Sequence, residues 1–389
     1  MRRTVKDLLV EIKDTTELIV DLAYSALLFD NEDIAEEVLE LEDKIIDLLR
    51  QIRIVSILAG RRVDEAESVS SILQIADAAH RIGNAAGDIA TLVLKGFKLP
   101  KEFVNMILLK SEETAVKAVV SEDAEIANKT LGEVRLHTRT GMRVIAIKRG
   151  FEWIFNPNRD TKILIGDVLF ARGDIMGIPK FFEIVTGKAV EVKEEEVEIA
   201  LEDLDNAVDT VIEMKNLSEL AVDLSYSSVL YYNEDIAQEV AYLEERIDNM
   251  KFDLQHWVLM SSRHFDETKP LITLLDLANT SEQIADSAKE IAGIVLQKLE
   301  IHPIFREAMK EVEEIITMVS VERGSKLDGK TLGEARVETT TGMHIIAVKR
   351  ENRWIVNPKA STTIRAGDTL IAKGTREGEA LLKRLCKKR

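Results

Sequence analysis

The sequence predicts an α+β multidomain protein in which antiparallel helical bundles alternate with small α+β domains. Three observations carry that expectation. The chain repeats itself at an offset of about half its length. The hydrophobic period changes from helical to strand-like within each copy. Only 19 glycines and 6 prolines interrupt 389 residues, which suits long helices.

The duplication sets the organisation. Asp21-Leu22-Ala23-Tyr24-Ser25 returns as Asp223-Leu224-Ser225-Tyr226-Ser227, and Asn31-Glu32-Asp33-Ile34-Ala35 returns as Asn233-Glu234-Asp235-Ile236-Ala237, both at an offset of 202. Later words return at an offset of 201, and 131–173 matches 332–374 at 23 of 43 positions. Such self-similarity marks a tandem repeat of one structural unit. We therefore divide the chain into 1–121, a helical bundle; 122–187, a sheet-containing domain; 188–322, a second bundle; and 323–389, a second sheet-containing domain.

The bundles are read from 3–4 spacing. Val5, Leu8, Leu9, Ile12, Ile19, Leu22 and Ala26 open the first. The pattern breaks at Asp30-Asn31, a polar cap at a tight helix–helix turn. Helices follow at about 31–59, 66–96 and 101–121, then at about 196–231, 234–262, 268–298 and 303–322 in the second copy. Their length and short connections imply antiparallel packing. The acidic run Lys188 to Glu198 reads as the linker between copies.

The sheet domains are read from short apolar runs between turns. Val144-Ile145-Ala146-Ile147 is followed by a turn at Gly150, then Trp153-Ile154-Phe155, then Gly166-Asp167 and Val168-Leu169-Phe170-Ala171. A short helix follows with Pro179 in its first turn. The second copy repeats the order with Ile345 to Val348, Trp354-Ile355-Val356, Gly367-Asp368, Thr369 to Ala372 and a final helix to Leu385. Trp153 and Trp354 open equivalent strands and read as packing anchors.

Composition excludes several classes. A net charge of -17 repels phosphate backbones, so no nucleic-acid partner is expected. The single Cys386 forms no intrachain disulfide or zinc cluster, although the neighbouring Lys387-Lys388-Arg389 would lower its pKa. The first residues lack a signal-peptide pattern, and no uncharged apolar run reaches about 18 residues. A soluble, cytoplasmic protein that does not span the membrane is expected.

The words Leu131-Gly132-Glu133, Thr140-Gly141-Met142, Ile145-Ala146-Ile147-Lys148-Arg149, Asn156-Pro157 and Gly166-Asp167-Val168-Leu169, with their second copies, resemble the TrkA-C domain, also called the C-terminal RCK domain. Asn31 to Glu42, Ile75 to Asn84 and Asp88-Ile89-Ala90 resemble the PhoU family of phosphate-transport regulators. The chain is thus similar to potassium-transport regulators built from PhoU-like and TrkA-C units. A Rossmann domain is the usual companion of TrkA-C, but no G-x-G-x-x-G stands between a strand and a helix, so no NAD is expected.

Each resemblance implies a site. PhoU-like bundles carry an acidic ExxxD motif that binds metal in some members. Its four-residue spacing puts both carboxylates on one helix face, as hard cations require. Glu244…Asp248 and Glu282…Asp286 match it, which implies a divalent metal or iron in the second bundle. The first bundle departs from it: Ile46 stands in for Asp248, and His80…Asn84 replaces the second pair. The competing reading is a solvated acidic face. Paired TrkA-C domains bind a cyclic dinucleotide, cyclic di-AMP, in some members. The resemblance maps that ligand to Ile154, Phe155, Asn156 and Pro157 and to Ile355, Val356, Asn357 and Pro358, with Arg143 and His344 supplying charge. The competing reading is a strand end and a turn.

No catalytic arrangement stands out: the six histidines form no metalloprotease spacing, and no G-x-S-x-G elbow is present. The expectation is a non-enzymatic regulator of cation, chiefly potassium, transport that senses a small ligand through paired TrkA-C domains. The alternative is a metal-binding, PhoU-like regulator of phosphate transport. A homodimer is expected, acting on a membrane cation transporter or a phosphate permease.

Overall fold

The computed structural model describes residues 4–59, 63–99, 103–104, 106, 113–155, 157–188, 202–262, 268–301, 303–304, 315–351, 353–356 and 358–388. The linker 189–198, the start of the helix expected from 196, and Asn156 and Asn357 lie outside them.

Helix α1 (Val5–Leu28) opens on a capping box between Thr4 and Asp7. Asp30 adopts φ 48 and Asn31 caps α2 (Glu32–Ala59) by accepting from the Ile34 amide at 3.0 Å. Helix α3 (Val63–Leu94) completes the first bundle. The first sheet domain contains β1 (Glu113–Val119), α4 (Leu131–Val134), α5 (Leu136–Thr140), β2 (Met142–Arg149), β3 (Glu152–Phe155), β4 (Val168–Asp174) and α6 (Ile178–Thr186). The second copy follows as α7 (Glu202–Tyr231), α8 (Glu234–Ser261), α9 (Lys269–Leu296), β5 (Ile315–Ser320), α10 (Leu332–Ala335), α11 (Val337–Thr341), β6 (Met343–Arg350), β7 (Arg353–Val356), β8 (Thr369–Gly374) and α12 (Arg376–Cys386). The α+β class and the alternation of bundles with small antiparallel-sheet domains are those read from the sequence.

One expectation fails in both copies. Residues read as the ends of helices 101–121 and 303–322 are strands β1 and β5, which edge each sheet in the orders β1-β4-β2-β3 and β5-β8-β6-β7. The run Thr114-Ala115-Val116-Lys117-Ala118-Val119 has no 3.6 repeat, and every residue from Glu113 to Val119 pairs with β4. Each sheet therefore begins ahead of the boundaries drawn at 122 and 323.

The words shared by the two sheet domains are structural. Thr130 and Glu133 form a capping box on α4, as Thr331 and Glu334 do on α10. Gly132 lets its amide donate to the Arg159 carbonyl at 2.7 Å, where a Cβ would lie only 2.9 Å from that oxygen. Asp167 is 1% exposed and takes both Arg149 donors at 2.8 and 2.7 Å, while also accepting from the Leu164 amide. Asp368 and Arg350 repeat this. The Gly-Asp turn is thus held by a buried bidentate pair.

One apolar core runs through all six long helices and takes in Ala115, Ala146 and Phe170 from the first sheet and Ile316, Ala347 and Ile371 from the second. The opposite face of each sheet covers its own α6 or α12. Each sheet domain is thereby clamped between its own helix and the bundles. Trp153 stacks on Phe170 at 5.1 Å, the packing role expected of it. Cys386 lies in the second sheet domain's core, where burial pushes its thiol up to about 12. Desolvation outweighs the basic tail that was expected to lower it.

Candidate functional site

The middle stretches of α1 and α7, related by the repeat, run beside one another. Each carries Lys-x-x-x-Glu-x-x-x-Asp on one face: Lys13, Glu17 and Asp21, then Lys215, Glu219 and Asp223. Four-residue spacing aligns these side chains. Lys13 pairs with Glu17 at 2.7 Å and Lys215 with Glu219 at 2.6 Å.

The sheets supply the other charges. Arg172 on β4 donates to Asp21 at 3.1 Å and to Glu219 at 3.0 Å. Lys373 on β8 lies 3.5 Å from both Glu17 and Asp223. One cation from each sheet domain therefore bridges the two bundles, Arg172 and Lys373 standing at equivalent repeat positions. Strand pairing fixes them: Arg172 faces Arg143 across the ladder and Lys373 faces His344. Gly173 permits this close approach of strands, because a Cβ there would sit 2.1 Å from the Gly141 carbonyl.

Glu17, Asp21, Glu219, Asp223, Arg172 and Lys373 line a cleft of about 110 Å³ where both bundles and both sheet domains meet. The same cleft is lined by Arg143, Ile145 and Phe155 from the first sheet domain and by His344, Ile346 and Glu338 from the second, with Arg143 beside Arg172 and His344 beside Lys373 on the sheet faces. The two sheet domains meet inside one chain. His137 lies 3.5 Å from Glu338, whose other oxygen is 3.4 Å from Nδ1 of His344. Burial favours the neutral acid of Glu338, but His344, His137 and Arg143 outweigh it and hold the group below its usual range. On the helical wall the balance reverses. Burial pushes Asp21 up to about 6 and Asp223 up to about 7; nearby carboxylates add to this, and Arg172 and Lys373 respectively oppose it.

The residues expected to bind a ligand divide. Arg143, Phe155 and His344 line the cleft. Ile154 and Ile355 point the other way, into the cores beneath α6 and α12, because successive strand residues face opposite sides. Pro157 is half-buried, and Pro358 borders a separate open depression of about 310 Å³ that also touches His344. The side chain of Val356, like Asn156 and Asn357, lies outside the described residues.

The expected metal ligands are engaged otherwise. Glu244 accepts from Lys289 at 2.6 Å, and Glu282 pairs with Lys251 at 3.3 Å. Burial pushes Asp286 up to about 6, helped by its hydrogen bond with Glu244 and by Glu282. Asp248 is half-buried on α8. Among the described residues no group of three or more His, Cys, Asp or Glu side chains is gathered as metal ligands would be. As arranged, two of the four carboxylates carry ammonium partners, so the donor set does not fit a hard divalent ion. In the first bundle Glu42 instead packs over Gly87, where any Cβ would meet its carboxylate at 2.1 Å.

Sequence reading missed Glu17, Asp21, Arg172, Glu219, Asp223 and Lys373. A signal existed: each is a charge on an otherwise apolar face, and each returns at the repeat offset.

The architecture and cleft define a class, a duplicated protein of helical bundles and paired sheet domains with a charged central junction. The PhoU domain model matches residues 9–93 and 211–295, and the TrkA-C domain model matches 115–186 and 316–387. The chain thus carries two PhoU domains and two TrkA-C domains in alternation. Neither match is to a catalytic family. It is similar to potassium channel protein 1 of Methanocaldococcus jannaschii, 30% identical over 86 residues, which are 22% of this chain and 26% of that protein. It is also similar to the K(+)/H(+) antiporter subunit KhtT of Bacillus subtilis, 28% identical over 114 residues, 29% of this chain and 67% of that one. The crystal structure of PhoU from Pseudomonas aeruginosa is similar at 15% identity, covering 75% of this chain and 93% of that one with a TM-score of 0.42. The chain spans about a quarter of the channel protein's length. Among the described residues, no helix is long and apolar enough to cross a membrane.

Proposed function

We propose that this chain is a non-enzymatic regulator of cation transport, with potassium as the cation, and that it senses a cyclic dinucleotide between its paired TrkA-C domains. The domain content and the channel and antiporter relatives support the transport reading. The observation that carries the sensing reading is the cleft itself. An apolar base would find a wall in Phe155, Ile145 and Ile346, and anionic phosphates would find Arg143, His137 and His344. The acidic helical wall disfavours phosphate, so a ligand would be held against the sheet wall. Because Arg143 and His344 sit directly opposite Arg172 and Lys373 on the strands, an anion there would compete with the helix carboxylates for the bridging cations. That competition would change how the sheets hold the bundles, and the coupling is reciprocal. A membrane transporter on the cytoplasmic side would read the bundles. The expected homodimer would then use a surface other than the TrkA-C pair, which forms within one chain.

Titration calorimetry with cyclic di-AMP tests this. Saturable binding at one site per chain, weakened about tenfold or more (~1.4 kcal/mol per decade) by Arg143→Ala plus His344→Ala, is expected. Absence of heat and of competition with a labelled cyclic dinucleotide would sink the sensing reading.

A further inference from the structure

We propose that the end of the first sheet domain formed by Val119, Phe151 and Ile165 is a docking surface for a basic segment of a partner protein that carries apolar side chains. That chemistry is found in the Lys- and Arg-rich stretches bordering membrane-spanning helices on their cytoplasmic side. Placing the segment on a membrane protein rests on the transport reading above; the chemistry of the surface does not.

The surface forms where β1 stops and β4 starts. The Gly166 amide donates to the Val120 carbonyl at 2.9 Å, which sets Ile165 beside Val119. Arg149 ties the end of β2 to the same turn by donating to Asp167 and to the Lys162 carbonyl. The turn between β2 and β3 then carries Phe151. In the sheet order β1-β4-β2 these positions lie about two strand spacings apart, roughly 10 Å. Phe151 is 102% exposed, Val119 51% and Ile165 47%. Together they leave on the order of 300–400 Å² of apolar side chain in water, the scale of the patches that mark docking sites on monomers.

The repeat supplies the control. The second sheet domain has equivalent strands in the same register, and its turn is held by the equivalent Arg350–Asp368 pair. At the positions of Val119, Phe151 and Ile165 its sequence has Ser320, Asn352 and Ala366. The fold therefore does not require the three apolar side chains.

Charge names the occupant. Lys117, two residues before Val119 on the same strand face, reaches Glu37 at 3.0 Å, so the start of α2 flanks the patch. The exposed acids Glu36, Glu122, Asp123 and Glu152 border it, and among the described residues none of them forms an ion pair. Their repeat equivalents are Gln238, Arg323, Gly324 and Arg353, so the acidity too belongs to the first copy alone. Lys117 and Lys148 are already engaged by Glu37 and Glu40, and Arg149 by Asp167. Lys162 is exposed on the turn and offsets part of this charge. An apolar centre inside an acidic border attracts Lys and Arg and repels anionic lipid.

The test uses the full chain and a fluorescein-labelled peptide of alternating Arg and Leu, with a peptide of alternating Glu and Leu as control. Fluorescence anisotropy should show saturable binding of the Arg peptide and none of the Glu peptide. Installing the second copy's residues, Val119→Ser plus Phe151→Asn plus Ile165→Ala, should weaken binding about tenfold or more at unchanged net charge. Glu122→Arg plus Glu152→Arg should also weaken it and reduce its dependence on salt. Both variants carry side chains with which the second domain already folds, and their circular dichroism should match the wild type. No saturable binding, or equal binding by the wild type and the apolar triple variant, overturns the proposal; the latter would assign the peptide to the overall charge of the chain. Binding to anionic vesicles that Phe151→Asn abolishes would assign the patch to a lipid surface, and self-association in sedimentation that it abolishes would assign it to a second copy. Either result overturns the proposal. Cyclic di-AMP calorimetry on the triple variant keeps docking apart from sensing: its heat should match the wild type, and a lowered heat would place the patch in the ligand site instead.

Discussion

Replacing Arg172 by methionine isolates the bridge between the bundles. In the wild type its guanidinium holds Asp21 at 3.1 Å and Glu219 at 3.0 Å, with 16% and 8% of those side chains exposed. Each contact is worth about 4 kcal/mol in gross Coulomb terms at an effective dielectric near 20, but desolvation consumes most of it. Removing one partner of a buried pair costs about 3–5 kcal/mol because the other charge is stranded. Glu219 keeps Lys215 at 2.6 Å, so only Asp21 is stranded, and the cost at about pH 8 should fall at the low end, ~3 kcal/mol. Methionine fills much of the arginine stem's volume, so packing contributes little. At about pH 5 Asp21, already raised to about 6 with Arg172 present, takes a proton and the cost should shrink below ~1 kcal/mol. Urea unfolding followed by circular dichroism, run as a double-mutant cycle with Asp21→Asn, reads the pairwise coupling directly. A coupling of about 2–3 kcal/mol at high pH that collapses at low pH is expected. A coupling under ~0.5 kcal/mol at high pH, or one indifferent to pH, would refute the reasoning.

Three further outcomes follow from the same structure. Asp167→Asn or Asp368→Asn should each cost about 3–5 kcal/mol, since either leaves a bidentate arginine facing a buried neutral amide; hydrogen exchange should localise the loss to the affected sheet domain, and uniform loss would contradict it. Lys251→Ala plus Lys289→Ala frees Glu282 and Glu244, so manganese affinity measured by calorimetry should rise about tenfold, and unchanged affinity would show that the lysines do not compete with a cation there. Cys386 should react with a thiol reagent only as the chain unfolds, because it is buried with its thiol pushed up to about 12; fast native labelling would mean that α12 is undocked.

Much of the fold was legible because the chain states it twice. The Asp30-Asn31 break located a helix turn, its repeat at Asn233 located the second, and the Gly-Asp words located the sheet turns. The edge strands β1 and β5 were not legible, since apolar runs of six or seven residues suit a buried helix as well as a strand. Of the ligand-site residues, Phe155 and Ile154 could have been separated by strand alternation alone: Trp153 and Phe155 face the bundles, so Ile154 cannot. The charged wall was harder. Asp21 showed in the sequence as the first residue of a repeated word, and Arg172 and Lys373 as single charges at equivalent positions of apolar strands. Their meaning depends on packing one unit against the other, and no local pattern encodes that contact.

The central claim is that occupancy of the cleft reaches the bundles through Arg172 and Lys373. The distance between spin labels at Glu36 and Glu152, measured at about pH 8 with and without cyclic di-AMP, tests it most directly. The account predicts a shift on adding ligand to the wild type and none in Arg172→Met plus Lys373→Met that still binds. A wild-type distance unchanged at saturation, or an equal shift in the variant, would contradict it.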